Sequence, residues 1–480
     1  MNESATNTFR IEKDSLGEAQ VPVEAWYGAQ TARAVANFPI SGRFPDKDFV
    51  LAHVRIKLAA ARANCQPGWL SEQKRDAIAA VCERILAGEF LDQFVVDRFQ
   101  AGAGTSHNMN SNEVIANLAN VALGGEKGTY KPVNPNDDVN MGQSTNDTIP
   151  TAIRLTVLAK LPRLVDAVRA MAAEFIRLAE REQDTVKSGR THLQDAVPTT
   201  LGQEFAGYAW TLARCAASLE TVRPALCEIG LGGSAAGTGL NGSAAGTWLN
   251  TSPDYPARVA AGLATLTGEP ITVGNLVAQM QSMNDLARLS GEIRNLALEL
   301  TRIANDLRLL ASGPRTGLGE IQLPPVQPGS SIMPGKVNPV MFEMLNQVCF
   351  QVLGQDAAVS FMVQAGQMEL NVMMPALGSA LFDAMDWLTN AMHAATEKNL
   401  KGIVVNRERC AFFIHQSVAL ATLLNTQIGY AAAAEVAKES EQSGRPVREI
   451  VAERGLMDAA DFDALVLAAA KGIGSGGGAG

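Results

Sequence analysis

Between Asn275 and Ser312 the sequence runs NLVAQMQSMNDLARLSGEIRNLALELTRIANDLRLLAS. Within it Leu286, Leu289, Ile293, Leu296, Leu300, Ile303, Leu307 and Leu310 are spaced 3, 4, 3, 4, 3, 4, 3. This is an a/d seam held over several turns, the pattern of a helix packed along its length against other helices. Gly291 is the one glycine inside the seam, and no proline interrupts it. At 1.5 Å per residue the segment would make a helix roughly 50 Å long. A helix of that length needs partners throughout. The fold expected is therefore mainly all-α, built on a bundle of long helices shared between subunits.

Similar patterning extends outward. Pro339–Gln367 and Pro375–Asn399 continue it, and 150–184 and 200–226 read as helices, with Pro162 inside the first. Two further helical stretches lie near 48–65 and 71–87. The segment 9–39 mixes Gly, Pro and aromatic residues without a helical period, so an extended or irregular path is expected. The region 99–150 reads as polar, Gly- and Asn-rich loops around one or two short helices. After Ile403 the helices shorten, with a small cap at 447–467 and a Gly-rich tail, GIGSGGGAG. The expected division is an N-terminal mixed domain (1–145), a central long-helix domain (146–402) and a small C-terminal helical domain (403–480).

Composition narrows the function. A chain of 480 residues that is 47% apolar can bury a large core. Its formal net charge of −9 argues against nucleic acid, which needs a basic face. Small anions remain admissible, because they need only a local positive pocket. The six cysteines are scattered without a CxxC pair, as in a reduced cytosolic protein. The five histidines form no metal-binding pair. The N-terminus, MNESATNTFRIEKDSLG, lacks the basic and apolar regions of a secretory leader. The longest uncharged run, 229–253, is too rich in Gly, Ser, Thr and Asn to span a membrane. A soluble, cytoplasmic protein without membrane or nucleic-acid partners is expected.

Four polar segments carry the chemistry. Residues 328–339 read PGSSIMPGKVNP, which places Ser330, Ser331, Lys336 and Asn338 in one non-helical stretch. Such a turn can offer backbone N–H groups to an oxyanion, and Lys336 adds a cation for a carboxylate. Residues 102–112 read GAGTSHNMNSN, 142–150 GQSTNDTIP and 189–198 GRTHLQDAVP. Each is read as a donor-rich loop ahead of a helix. Thr105, Ser106, Ser144, Thr145, Asn146, Thr191 and His192 are the donors. For any one loop alone, plain helix capping is the simpler role.

Taken together, the four segments resemble the fumarase/aspartase superfamily, over about Phe9 to Leu467. GSSIMPGKVNP is similar to that family's signature loop. The resemblance implies a three-domain helical subunit, a homotetramer with a multi-helix core, and active sites each assembled from three subunits. It implies reversible anti elimination from a succinyl compound to give fumarate. By resemblance Ser330 is the base, acting as an alkoxide, and Lys336 and Asn338 bind one substrate carboxylate. Thr105, with Ser106 beside it, Ser144, Thr145 and Ser331 hold the other. Asn146, Thr191 and His192 face the leaving group. Glu343 matches the carboxylate paired with the family's histidine, here His192. His107 stands where the family does not generally carry histidine. No cofactor is required by this route. Some members of the aspartase branch respond to divalent cations, but no ligand cluster in the sequence points to one.

Within the family, the argininosuccinate and adenylosuccinate lyases diverge outside the signature loop. Ala103 in GAGTS, Thr145 in GQSTND, and the stretches NPVMFEMLNQVCFQVLGQD and QAGQMELNVMMP resemble the aspartase branch. Asn134 in NPNDDVN replaces a histidine usual in class II fumarases. The segments GRTHLQD, IEKDSLG and WYGAQT are common to both branches. The expected reaction is loss of ammonia from the dicarboxylate L-aspartate. The alternatives are hydration of fumarate to L-malate and a non-catalytic structural homologue; intact Ser330, Lys336, Asn338, Thr191 and His192 disfavour the latter. One departure from the family pattern is a tandem duplication, GSAAGTGLN at 233–241 followed by GSAAGTWLN at 242–250. The first copy is expected to keep the place of the family's Gly-rich loop, and the second to bulge outward.

Overall fold

The computed structural model describes residues 8–66, 69–238 and 252–472. The second copy of the duplicated nonapeptide, and its expected bulge, lie outside them. In chain order the elements are β1 (Phe9–Asp14), β2 (Gly17–Pro22), α1 (Ala29–Asn37), α2 (Lys47–Ala63), α3 (Glu72–Leu86), α4 (Thr105–Ala122) and α5 (Thr145–Arg181). There follow β3 (Val186–Thr191), β4 (Gln194–Thr200), α6 (Leu201–Glu220), α7 (Arg223–Leu226), β5 (Glu228–Ile229), α8 (Tyr255–Thr267), β6 (Thr272–Val273), α9 (Ala278–Gln281) and α10 (Asn284–Leu310). The rest are β7 (Ile321–Gln322), α11 (Val340–Gln364), α12 (Met374–Lys398), β8 (Val404–Val405), α13 (Arg407–Gln416), α14 (Asn425–Ile428), α15 (Tyr430–Ser443), α16 (Val447–Glu453) and α17 (Ala459–Ala470). The fold is mainly α, as expected. Among the described residues no helix is long and apolar enough to cross a membrane.

The seam of α10 is buried throughout, no residue of it more than 4% exposed. The helix is shorter than its sequence suggests. Ser282 takes an extended conformation after the four-residue α9, and its hydroxyl accepts from the amide of Asn284, where α10 starts. Its 27 residues span about 40 Å.

Two compact units share the chain. The first comprises residues 1–164, 218–294 and 351–387. Its N-terminal part is a hairpin, β1 paired antiparallel with β2, beside a core where α2, α3 and α4 bury Val54, Leu58, Ile78, Ile85, Val114 and Leu118. The segment 9–39 is thus more regular than expected, because α1 ends it. Glu113 of α4 explains the start of α1: its carboxylate accepts from the amides of Gly28, Gln30 and Thr31 and from the Thr31 hydroxyl. In this unit Arg154 of α5 clasps Asp285 of α10 at 2.7 and 3.0 Å, and Lys160 of α5 meets Asp386 of α12 at 2.6 Å.

The second unit comprises residues 165–217, 295–350 and those from Leu388 onward. Phe175 of α5 packs against Phe205 and Tyr208 of α6, and the Tyr208 hydroxyl donates to Asp306 of α10. The C-terminal helices close their own core around Ile414, Leu424, Val436, Ile450, Phe462 and Val466. Long helices of this unit keep large apolar side chains outside: Trp210, Leu298 and Phe350 are each 49–63% exposed.

Candidate active site

In the first unit the N-termini of α4 and α5 come together. Gly102–Gly104 forms one 3-10 turn ahead of α4. Gly104 has φ +90°, and a Cβ there would lie 2.9 Å from Ile149, so only glycine fits. The amide of Ala103 donates to the Val372 carbonyl at 2.9 Å, which ties the turn to the QAGQMELNVMMP segment. Thr105 then opens α4, exposed, with Ser106 buried behind it. Ser144, Thr145 and Asn146 stand at the start of α5, half-buried. The side-chain amide of Asn108, one turn into α4, donates to the Thr145 hydroxyl at 3.2 Å and couples the two ends. First-turn amides lack intrahelical acceptors, so paired helix N-termini suit an anion.

A buried polar floor lies beneath. Lys57 of α2 is fully buried and donates to the carbonyl oxygens of Asn108 (2.7 Å) and Asn140 (3.1 Å). Burial pulls its ammonium down to about 7. Burial likewise pushes the Asp147 carboxyl up to about 7, against the pull of three backbone amides and Lys57. Beside them the rings of His53 and His107 lie 5.0 Å apart at a tilt of 44°, and His53 shares a 2.8 Å hydrogen bond with Ser111. Burial drives His107 down to about 3, so it is a neutral imidazole at neutral pH. Phe49 covers it at 4.6 Å.

In the second unit the signature loop folds on itself. The amide of Gly329 donates to the Lys336 carbonyl at 2.8 Å, and the Asn338 side chain donates to the Gly329 carbonyl at 2.7 Å. Inside that loop the Ser330 hydroxyl oxygen accepts from the amides of Ile332 (3.2 Å) and Met333 (3.0 Å). Ser331 and Lys336 are exposed, as is Ile332. The hairpin β3–β4 carries Thr191 and His192 at its exposed tip. Its two turn residues, His192 and Leu193, have φ +55° and +59°. That is the backbone of a two-residue primed turn, built here without glycine or asparagine. Strand β3 is anchored along its length by Glu320, fully buried, which takes Arg190 in a two-pronged pair (2.8 and 3.1 Å) and Lys187 at 3.6 Å.

Three segments differ from their sequence reading, and the first is GQSTNDTIP, of which Thr145–Pro150 already lies inside α5 rather than in a loop ahead of it. GAGTSHNMNSN is not a loop: from Thr105 on it is the first two turns of an 18-residue helix. Its asparagines and Ser111 read as loop formers, yet they are buried and hydrogen-bonded inside the fold. GRTHLQDAVP is a β-hairpin rather than a loop preceding a helix. Among the described residues of one protomer no hydrogen bond joins Glu343, in the first turn of α11, to His192. The sequence reading passed over Lys57, Asn108, Asn140 and Asp147. The available signal was Lys57 itself, a cation inside the apolar stretch AHVRIKLAAARA. Among the described residues no group of three or more His, Cys, Asp or Glu is placed to hold a metal ion.

Comparison with known proteins adds lineage. The family described as Lyase matches residues 17–354, and Fumarase C C-terminus matches 420–470. An aspartate ammonia-lyase of Pseudomonas fluorescens is 46% identical over 473 residues, covering 96% of this chain and 95% of that protein. Among solved structures, a fumarate lyase:delta crystallin from Brucella melitensis bound to cobalt matches with a TM-score of 0.91 and 44% identity, over 96% of this chain and 99% of that one. A class II fumarase from Schistosoma mansoni gives 0.89 at 33% identity, over 96% and 99%.

Proposed function

The chain belongs to the fumarase/aspartase superfamily of lyases, and from that premise we propose that it is an aspartate ammonia-lyase. It removes ammonia from L-aspartate, reversibly and in the anti sense, to give fumarate. Ser330, as an alkoxide, takes the Cβ proton. The electron pair of the broken C–H bond moves into the adjoining carboxylate, which becomes a dianionic aci-carboxylate. That pair returns to form the Cα=Cβ bond as the Cα–N bond breaks, and nitrogen leaves as ammonia with its bonding pair.

The observation that carries the base assignment is the pair of amides aimed at the Ser330 oxygen. A hydroxyl that already accepts two N–H bonds is biased toward its anion, because those donors strengthen when charge appears. Lys336 and Asn338 hold one carboxylate, while Thr105, Ser106, Ser144, Thr145 and Ser331 hold the other at the paired helix N-termini. Asn146, Thr191 and His192 line the leaving-group side, and Glu343 supports His192 from another subunit. Three protomers of a homotetramer supply these groups, and the exposed Trp210, Phe350 and Phe361 fit burial against further copies. The enzyme works in the cytoplasm without a required cofactor; any effect of a divalent cation is on activation.

The preference for aspartate over malate rests on Thr145, Asn134 and the near-full-length likeness to an aspartate ammonia-lyase. Following fumarate absorbance with L-aspartate and L-malate side by side tests it. Turnover of aspartate alone is expected. Turnover of malate alone would make the enzyme a class II fumarase, and turnover of neither would favour the non-catalytic reading.

A further inference from the structure

The mechanism does not use the buried carboxylate of Asp147. Asp147 follows the Ser144–Asn146 turn and is fully buried. Its Oδ1 accepts from the amide of Ser144 at 2.9 Å. Its Oδ2 accepts from the amides of Gly232 (3.0 Å) and Ser234 (2.9 Å), more than eighty residues away. Next to it, the Asn146 side chain donates to the Ala235 carbonyl at 2.9 Å. One carboxylate thus holds a pocket turn with one oxygen and the glycine-rich segment with the other. We propose that Asp147 is a positioning residue that seats residues 230–238 against the Ser144–Asn146 turn and so fixes Asn146 for the leaving group. This rests on the proposed place of Asn146 in the pocket.

The seat is narrow. Gly232 has φ +98°, and a Cβ there would lie 2.6 Å from Pro256 Cγ. Gly237 has φ +81°, and its Cβ would lie 2.5 Å from Val277. These constraints choose between the duplicated nonapeptides. The residue two places ahead of the repeat's serine is Gly232 for the first copy and Asn241 for the second. A nine-residue slip would put an asparagine side chain where there is no room for a Cβ, so the seat takes the first copy. The three convergent amides are expected to tolerate a neutral amide poorly in place of the carboxylate. Asparagine keeps one acceptor and would turn its NH2 toward backbone donors.

The test uses the full-length protein with Asp147→Asn, Gly232→Ala and the double variant. Hydrogen exchange across 230–238 is measured by mass spectrometry, together with kcat and KM for L-aspartate and the melting temperature. Asp147→Asn is expected to speed exchange of that segment and raise KM at least about tenfold, with the melting temperature changed by only a few degrees. Gly232→Ala, which unseats the segment from its other side, should do the same. The double variant should be no worse than the poorer single one, as for two lesions in one interaction. Unchanged exchange and KM in Asp147→Asn would overturn the inference. If Asp147→Asn does not fold, Gly232→Ala decides, and unchanged exchange and KM there would overturn it too. The exchange measurement does not depend on the substrate. An enzyme inactive on aspartate would defeat the proposed function and leave the seat to be judged by exchange alone.

Discussion

Replacing Lys57 with methionine separates stability from catalysis at this site. The substitution keeps a straight side chain of similar length and removes only the ammonium. Two terms set the stability change. Burial lowers the lysine from 10.5 to about 7, and a difference of 10.5 − 7 = 3.5 units corresponds to roughly 5 kcal/mol of penalty that methionine does not carry. Against this, two hydrogen bonds from a charged donor are lost, at 2.7 and 3.1 Å, each worth about 1.5–3 kcal/mol. The terms nearly cancel, so Lys57→Met should unfold within about 2 kcal/mol of the parent in urea, in either direction. Activity should not be spared. Asn108 is oriented by Lys57 at one end and donates to the Thr145 hydroxyl at the other. With that orientation lost, kcat/KM for L-aspartate is expected to fall at least about tenfold, the effect of a misplaced binding group. The assays are fumarate absorbance and urea unfolding of the same preparation. Activity within twofold of the parent would refute the reasoning. So would a loss of activity that merely follows the fraction unfolded.

Three further outcomes follow from the same geometry. His107 binds its proton only near pH 3 when folded but near 6.5 when unfolded, so stability is full above pH 6.5 and is lost as pH falls toward 3. At pH 5 the loss is about 2 kcal/mol; His107→Leu should flatten that part of the stability–pH curve, and an unchanged slope would contradict the neutral imidazole. Glu320→Gln leaves Lys187 and Arg190 of β3 without their buried carboxylate and should cost roughly 3–5 kcal/mol in denaturant unfolding; an unshifted midpoint would remove Glu320 from the hairpin's support. Deleting residues 242–250 keeps every seat contact of Gly232, Ser234 and Ala235, so kcat and KM should stay within about twofold; a large fall in turnover would show that the second copy takes part in the site.

Much of this was legible along the chain because helix packing leaves a local signature. The 3–4 spacing of the α10 seam announces its burial, and 339–367 and 375–399 appear as α11 and α12 within a few residues. The start of α10 was not legible, since Ser282 breaks the periodic segment through one extended residue and a cap. The length of α4 was hidden by its composition. Asn108, Asn110, Asn112, Asn117 and Asn120 look like loop residues, yet their amides hydrogen-bond to neighbouring backbone and side chains inside the fold. The hairpin β3–β4 was missed because its turn uses His192 and Leu193 at positive φ, where glycine or asparagine would have signalled it. At the site, the motif residues were visible as motifs. Lys57 and Asp147 were not visible as parts of it, because each works through partners distant in sequence. Only the folded chain brings Gly232 and Ser234 to Asp147, or Asn108 and Asn140 to Lys57.

In the proposed reaction Ser330, held by the amides of Ile332 and Met333, removes the Cβ proton. The most direct test is steady-state turnover of L-aspartate by Ser330→Ala beside the parent enzyme, with melting temperature and oligomeric state measured on both. A fall in kcat of about 10²–10⁴ is expected, the usual worth of a general base, with KM, melting temperature and assembly nearly unchanged. A correctly folded Ser330→Ala enzyme with kcat within tenfold of the parent would contradict it and move the base elsewhere.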